Sequence, residues 1–278
     1  MYKFPIGVML DSFRLDTVEA IKKAAELGAQ GLQMYATSGE FAPENMSVQK
    51  RRELLDIVKS HGLVFSALCG DLGQGFGNAE KNPHLIEKSK RIMDLAKDLE
   101  TDIVTTHIGV VPSDKKHPRY NIMQQACGEL CEYADSLNAH FAIETGPETS
   151  LVLKNFLDSL HSRGVAVNLD PANLVMVTGD DPVGAVYNLK DYIVHTHAKD
   201  GIKLMDSDPE VIYRVIEDVI QEGEAFREMP LGEGNVPFQK YLAALEDIGY
   251  KGFLTIEREV GANPAADIAK AIDFLKKF

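Results

Sequence analysis

Residues 194–200 read Val-His-Thr-His-Ala-Lys-Asp, two imidazoles and an amine directly behind the strand-like run Tyr-Ile-Val. On an extended strand alternate side chains share a face, so His195, His197 and Lys199 project one way while Val194, Thr196 and Ala198 project the other. Either the polar face is wet or it holds something charged. Similar apolar runs elsewhere end in His107, Glu144, Asp170 and Glu257. Brought to one place, Glu144, Asp170 and Glu257 make a cluster of like charge that is costly unless protons are taken up or a cation neutralises it. Carboxylates with one imidazole suit a divalent ion bound chiefly through oxygen: Mn²⁺, Mg²⁺, Co²⁺ or Zn²⁺. Cysteine is missing from the set, which argues against a structural zinc knot. Each residue also has a plainer reading: Asp170 before Pro171 is a turn or helix-cap residue, and strand histidines often bond a backbone carbonyl.

The elements that must position these groups alternate along the chain. Strand-like runs occupy 6–10, 31–36, 63–70, 102–109, 140–146, 165–171, 192–200 and 252–259. Helical patterns lie between them, such as DTVEAIKKAAELG, where Val18, Ile21, Ala25 and Leu27 mark an apolar side and Gly28 stops the helix. VQKRRELLDIVKSHG, HLIEKSKRIMDLAKDL and FQKYLAALEDIG follow the same logic, and PAADIAKAIDFLKKF closes the chain. Eight strands, each with a following helix, predict an α/β fold with a parallel sheet, and eight is the number that closes into a (β/α)₈ TIM barrel. An open doubly wound sheet is the rival, but no GxGxxG follows the first strand. No linker or break in composition divides residues 1–278, so a single barrel domain is expected. The segment 201–235 is too long for a simple βα loop and contains the helix-like PEVIYRVIEDVIQEG; it reads as an insertion over the barrel mouth. In such a barrel the chemistry sits at the C-terminal ends of the strands, where His107, Glu144, Asp170, His197 and Glu257 all fall.

Composition narrows the partners. The 278 residues carry 42 acidic against 29 basic side chains, a net charge of −13, which argues against broad contact with nucleic acid. No apolar run approaches membrane-spanning length, and MYKFPIGVML enters a strand-like run without a signal-peptide pattern. The three cysteines, Cys69, Cys127 and Cys131, leave no disulfide framework. Reduced thiols and a cytoplasmic protein without membrane contact are the simpler expectation.

IETG at 143–146, NLDPANL at 168–174, VHTHAKD at 194–200, LGEGN at 231–235 and TIERE at 255–259 resemble the xylose isomerase-like barrel superfamily. That group includes sugar and sugar-phosphate isomerases and epimerases, the D-tagatose 3-epimerase group, hydroxypyruvate isomerase, inosose dehydratase and a metal-dependent apurinic endonuclease. The resemblance implies one divalent metal, manganese among the candidates, held by Glu144, Asp170, His197 and Glu257. It also implies that Glu144 and Glu257 face opposite sides of a sugar carbon and move its proton, and that the substrate is a small carbohydrate. His107, Asn173 and Lys199 are then candidates for substrate contact, and His195, deeper in the strand, for orienting its neighbours. Relatives are commonly oligomers, so a homo-oligomer stays open.

The departures are specific. A histidine usual three residues after the sixth-strand aspartate is replaced by Asn173, and Gln33 stands where many relatives have glutamate. Phe226 and Glu228 occupy the positions of the endonuclease's Asp-x-His pair, so one metal rather than a three-metal cluster is expected. Gly232 and Gly234 permit a tight turn, and a phosphate could sit there on backbone N–H groups. Arg258, one past Glu257, should point toward the helices. Isomerisation or epimerisation of a sugar, sugar phosphate or keto-sugar acid through an enediolate is the leading expectation. Its alternatives are dehydration of a keto-inositol or similar polyol, apurinic-type DNA cleavage, and a non-catalytic carbohydrate-binding barrel.

Overall fold

The computed structural model describes residues 4–216 and 223–278. Among these residues ten strands run in chain order: β1 (Ile6–Met9), β2 (Gly31–Tyr35), β3 (Val64–Cys69), β4 (Ile103–Thr106), β5 (His140–Glu144), β6 (Val165–Leu169), β7 (Ile193–Ala198), β8 (Asp200–Lys203), β9 (Phe226–Met229) and β10 (Leu254–Ile256). All but β8 and β9 are parallel and close a barrel in the order β1-β10-β7-β6-β5-β4-β3-β2. The helices are α1 (Thr17–Leu27), α2 (Val48–Ser60), α3 (Asn82–Asp98), α4 (Pro118–Ser136), α5 (Ser150–Leu157), the single turn α6 (Pro171–Asn173), α7 (Pro182–Asn188), α8 (Pro209–Ile212), α9 (Phe238–Asp247) and α10 (Pro264–Leu275). The chain is therefore the eight-stranded TIM barrel that the alternation of patterns predicts.

The layer between strands and helices is apolar. Ile21, Ile92, Leu130, Phe156, Leu245 and Ile272, one from each of six helices, are almost wholly buried. On α1 the buried face is Ala20, Ile21 and Ala24, whereas Val18 is exposed. Ala20 and Ala24, at i, i+4, share the inward stripe with Ile21, and the larger Val18 falls outside it.

Two register shifts matter for the site. Between β2 and β3, Leu32 pairs with Phe65 and Gln33 with Ala67, leaving Ser66 unpaired. Between β6 and β7, Val167 pairs with Ile193 and Asn168 with His195, leaving Val194 unpaired. Such bulges re-aim side chains and gather near active sites.

The segment after β7 differs from its sequence reading. Helix covers only Pro209–Ile212 of the expected 209–223 stretch, and 217–222 lie outside the described residues. The segment's framework is instead an antiparallel ribbon pairing β8 with β9, from Asp200↔Met229 to Lys203↔Phe226. Its strands are short and carry charged side chains, so they show none of the apolar alternation that marks a strand in sequence. Asp200 pins LGEGN beside it: Oδ2 accepts from the N–H groups of Gly232 (3.0 Å) and Gly234 (2.9 Å), and Oδ1 from Val236 (3.0 Å). Those donors are engaged by the protein's own carboxylate, so the turn is not a phosphate cradle. Among the described residues no helix is long and apolar enough to cross a membrane, and Cys69, Cys127 and Cys131 are free and buried.

Candidate metal centre

Glu144, Asp170, His197 and Glu257 come from the ends of β5, β6, β7 and β10 and each offers a ligand atom within 4.8 Å of the others. Their assembly follows from the barrel's pairing: β5, β6, β7 and β10 are consecutive neighbours in the closed sheet. His197 Nδ1 stands 3.5 Å from Glu144 Oε1, 3.4 Å from Asp170 Oδ2 and 3.4 Å from Glu257 Oε2. His197 and Asp170 are 1% and 0% exposed, yet His197 Nδ1 and Asp170 Oδ2 have no hydrogen-bond partner. Buried polar atoms are seldom left so, and one imidazole nitrogen converging with carboxylate oxygens is the donor set that a divalent cation satisfies. The residues present fit such an ion. Asp170 also fills its plainer role: Oδ1 accepts from the N–H groups of Ala172 (2.8 Å) and Asn173 (3.0 Å), leaving Oδ2 for the centre.

A layer of amides and hydroxyls below fixes these groups. His197 Nε2 lies 3.0 Å from Gln33 Oε1, and Gln33 Nε2 donates to Thr105 Oγ1 at 2.8 Å. With Nε2–H donated to Gln33, Nδ1 is the nitrogen turned to the carboxylates. His195 performs the parallel task it was expected to perform. Its Nδ1 is 2.8 Å from Asn168 Oδ1, its Nε2 is 2.9 Å from Thr255 Oγ1, and Asn168 Nδ2 donates to Glu144 Oε2 at 3.0 Å. Burial, with His197 beside it, pushes His195 down to about 3, so it serves as a neutral hydrogen-bonding wedge. Gln33 and Asn168 are the residues paired directly after the two register shifts.

The field in the pocket is strongly negative. Burial alone would lower His197, but the carboxylates of Glu257 and Glu144 hold it well above its ordinary value. Burial likewise opposes the ionised form of Glu144, but His107, His197 and Lys199 together hold its carboxyl below the usual range. Lys199 is buried and ionised, donating to Glu257 Oε2 (2.8 Å) and Glu259 Oε2 (2.6 Å).

Above the four groups lies a cavity of about 620 Å³ that Tyr35, His107, Asn173, Lys199 and Tyr213 help to line. His107 follows β4, with Nε2 3.5 Å from Glu144 Oε1; Asn173 Nδ2 donates to Glu144 Oε1 at 3.1 Å. The candidate contact residues thus share one cavity. Arg258 turns to α10, where Nε donates to Asp267 Oδ2 at 2.9 Å, and its Nη1 pairs with Glu228 on β9. Glu228 also accepts from Glu259 N, and the described residues hold no other cluster of metal-ligating side chains.

Tyr213, from the segment after α8, was not foreseen. Its ring meets His107 edge to face, with centroids 5.2 Å apart. Gly146 makes room for it, since a Cβ there would lie 2.7 Å from both Tyr213 Oη and Asn173 Cβ. Nothing in the local pattern around Tyr213 signals a pocket residue. Asn168 did carry a signal, sitting two before Asp170 on the same strand face.

A fold shared by many chemistries is best placed through its relatives. Fructoselysine 3-epimerase of Escherichia coli O157:H7 is 24% identical over 265 residues, covering 88% of this chain and 86% of that protein. The crystal structure of a xylose isomerase domain protein from Planctomyces limnophilus superposes with a TM-score of 0.80 at 24% identity, covering 99% of this chain and 97% of that one. The probable 3-DHS dehydratase AsbF of Bacillus anthracis superposes with a TM-score of 0.77 at 20% identity, covering 98% and 99%. The family model described as "Xylose isomerase-like TIM barrel" matches residues 21–278, from α1 through the final helix, so the chain belongs to that family.

Proposed function

We propose that the protein is a divalent-metal-dependent epimerase or isomerase of a small carbohydrate, moving a proton next to the sugar carbonyl through an enediolate. The observation that carries this reading is the partnerless, buried His197 Nδ1 facing carboxylate oxygens of Glu144, Asp170 and Glu257 at 3.4–3.5 Å. The epimerase among the relatives supports it. Glu144, Asp170, His197 and Glu257 would hold the ion, which acts as a Lewis acid on a carbonyl oxygen and balances the negative charge that develops there.

The protein's own groups do the rest. One of the pair Glu144 and Glu257 takes the proton from the carbon beside the carbonyl, and the electron pair of that C–H bond moves into the enediolate. The other glutamate, carrying a proton into the step, delivers it to the opposite face, giving the epimer, or to the neighbouring carbon while the hydroxyl proton passes between the two oxygens, giving the isomer. Asn168 and Asn173 fix Glu144 in place through 3.0 and 3.1 Å bonds. Lys199 remains an ammonium and is suited to hold a substrate oxygen beside Glu257, not to accept protons. His107 and Tyr213 cover the reacting region on the β4 side. The abasic-DNA reading is disfavoured by the charge of −13 and by Glu228 being tied to Arg258.

The test is a screen of ketoses in D₂O with NMR detection, using metal-loaded and chelator-stripped protein. Metal-dependent deuterium incorporation is expected, with a product that has lost no water and is heavier than the substrate only by the deuterium taken up. A product lighter by one water would replace the epimerase with a dehydratase, and ligand-dependent thermal stabilisation without any exchange would make this a binding protein.

A further inference from the structure

A second cavity, of about 560 Å³, adjoins the first above β3 and β4; Asp71, His107 and Tyr213 line both. Three cations from separate parts of the chain line it: Lys81 ahead of α3, Arg119 in the first turn of α4, and Arg214 after α8. Lys81 and Arg214 are exposed at its edge and make no ion pair among the described residues. Arg119 is partly buried. It pairs through Nη2 with Glu210 on α8, while its Nε is buried and has no hydrogen-bond partner. The loop after β3 is shaped around it: a Cβ on Gly77 would sit 2.8 Å from Arg119 Cδ. Among the described residues the one acid in the lining is Asp71. In a chain of net charge −13 this is a local reversal of sign, directly beside the candidate catalytic cavity.

We infer that this chamber receives the anionic end of the substrate, and that the substrate is a ketose bearing a phosphate monoester on the carbon farthest from its carbonyl. The inference rests on the epimerase reading above and adds the substrate class to it. A phosphate monoester carries nearly two negative charges and three acceptor oxygens at neutral pH, which the Arg119 guanidinium and the free ends of Lys81 and Arg214 can share. A carboxylate would bring only one charge. The turn at Gly232–Gly234 offers no rival phosphate site, because Asp200 holds its N–H groups. His107 and Tyr213, shared by both cavities, place the anionic end and the reacting carbon on either side of one pair of rings.

The experiment compares free pentuloses and hexuloses with their terminal phosphate esters, on metal-loaded wild-type protein and on the Lys81→Ala/Arg214→Asn double variant. Asparagine is chosen because residue 214 has φ 55°, a conformation it tolerates. The wild type is expected to prefer the ester in kcat/KM by about tenfold or more, the scale of one charge-assisted hydrogen bond, and the double variant to lose that ratio. Calorimetry with inorganic phosphate should show binding by the wild type that the double variant lacks. Equal kcat/KM for ester and free ketose would overturn the phosphate assignment while leaving the epimerase intact. Phosphate binding lost in the double variant, with no proton exchange in any ketose, would uphold the anion site and overturn the epimerase. A preference for a ketose with a terminal carboxylate over the phosphate ester would overturn the dianion assignment.

Discussion

Glu148 carries a measurable liability. It lies in the loop between β5 and α5, is 7% exposed, and accepts one hydrogen bond, from Val111 N to Oε2 at 3.1 Å; Oε1 has no partner. Burial pushes its carboxyl from the ordinary 4.5 up to about 8, opposed only by the Val111 N–H. The folded protein therefore keeps a proton that the unfolded chain releases near pH 4.5. Its contribution to stability is complete below that pH and is lost as pH rises toward 8. Each pH unit inside the window costs about 1.4 kcal/mol, so pH 5 to pH 8 removes about 3–4 kcal/mol. Glu148→Gln keeps the size and the acceptor for Val111 but cannot ionise. With an unfolding entropy of about 2.1 cal/mol/K per residue over 278 residues, its Tm advantage over wild type should grow by about 6 °C across that range. Calorimetric scans of both proteins at matched metal concentration, taken as a difference at each pH, isolate this group from the others that titrate. A difference constant within about 1 °C from pH 5 to pH 8 would show that Glu148 is already ionised in the fold, and the reasoning from burial fails.

Other outcomes follow from the site itself. Asp170→Ala and His197→Ala should bind metal at least about 10²-fold more weakly by equilibrium titration, and Asp170→Asn, which keeps the cap on α6, separates lost ligation from lost folding. Full metal occupancy in both alanine variants would remove these residues from the centre. Glu144→Gln and Glu257→Gln should keep much of their metal and lose turnover about 10²-fold or more, the scale of general acid–base catalysis. Wild-type turnover in the Glu257 variant would end its assigned role. Gln33→Leu leaves His197 Nε2 without its 3.0 Å acceptor and should weaken metal binding about 10–100-fold while the barrel still folds, as judged by circular dichroism. Unchanged affinity would show that Gln33 does not set the imidazole's orientation.

The frame was legible because each barrel strand is a short apolar run beside a helix with 3.6-residue periodicity, and the four clustered groups were legible because each ends such a run. The face of β7 followed from alternation alone: His195, His197 and Lys199 turn inward, while Thr196 Oγ1 bonds Leu169 O and meets Tyr241 of α9. What pattern does not encode is contact between distant segments. Arg119 and Lys81 face one cavity only because two βα loops meet, and Tyr213 reaches His107 only because its segment folds back from the ribbon. The helical spacing of PEVIYRVIEDV is met among the described residues only by α8 at Pro209–Ile212, and the ribbon escapes sequence reading because β8 and β9 have no spacing of their own. Asp200 shows the opposite case, a carboxylate at a strand end whose work is to hold a turn.

The unpaired Val194 gives β7 a property that no residue type expresses. Strand faces alternate with a parity of two, so a chain that pairs Asn168 with His195 through one surplus residue has its histidines inside by virtue of a count. Exchanging Val194 for another side chain leaves that count intact. Removing it shifts the phase of everything downstream in the strand, turning Thr196 and Ala198 toward the barrel axis and the imidazoles toward the helices. A whole reactive face thus hangs on arithmetic that substitution scanning does not see, and only insertions and deletions read it.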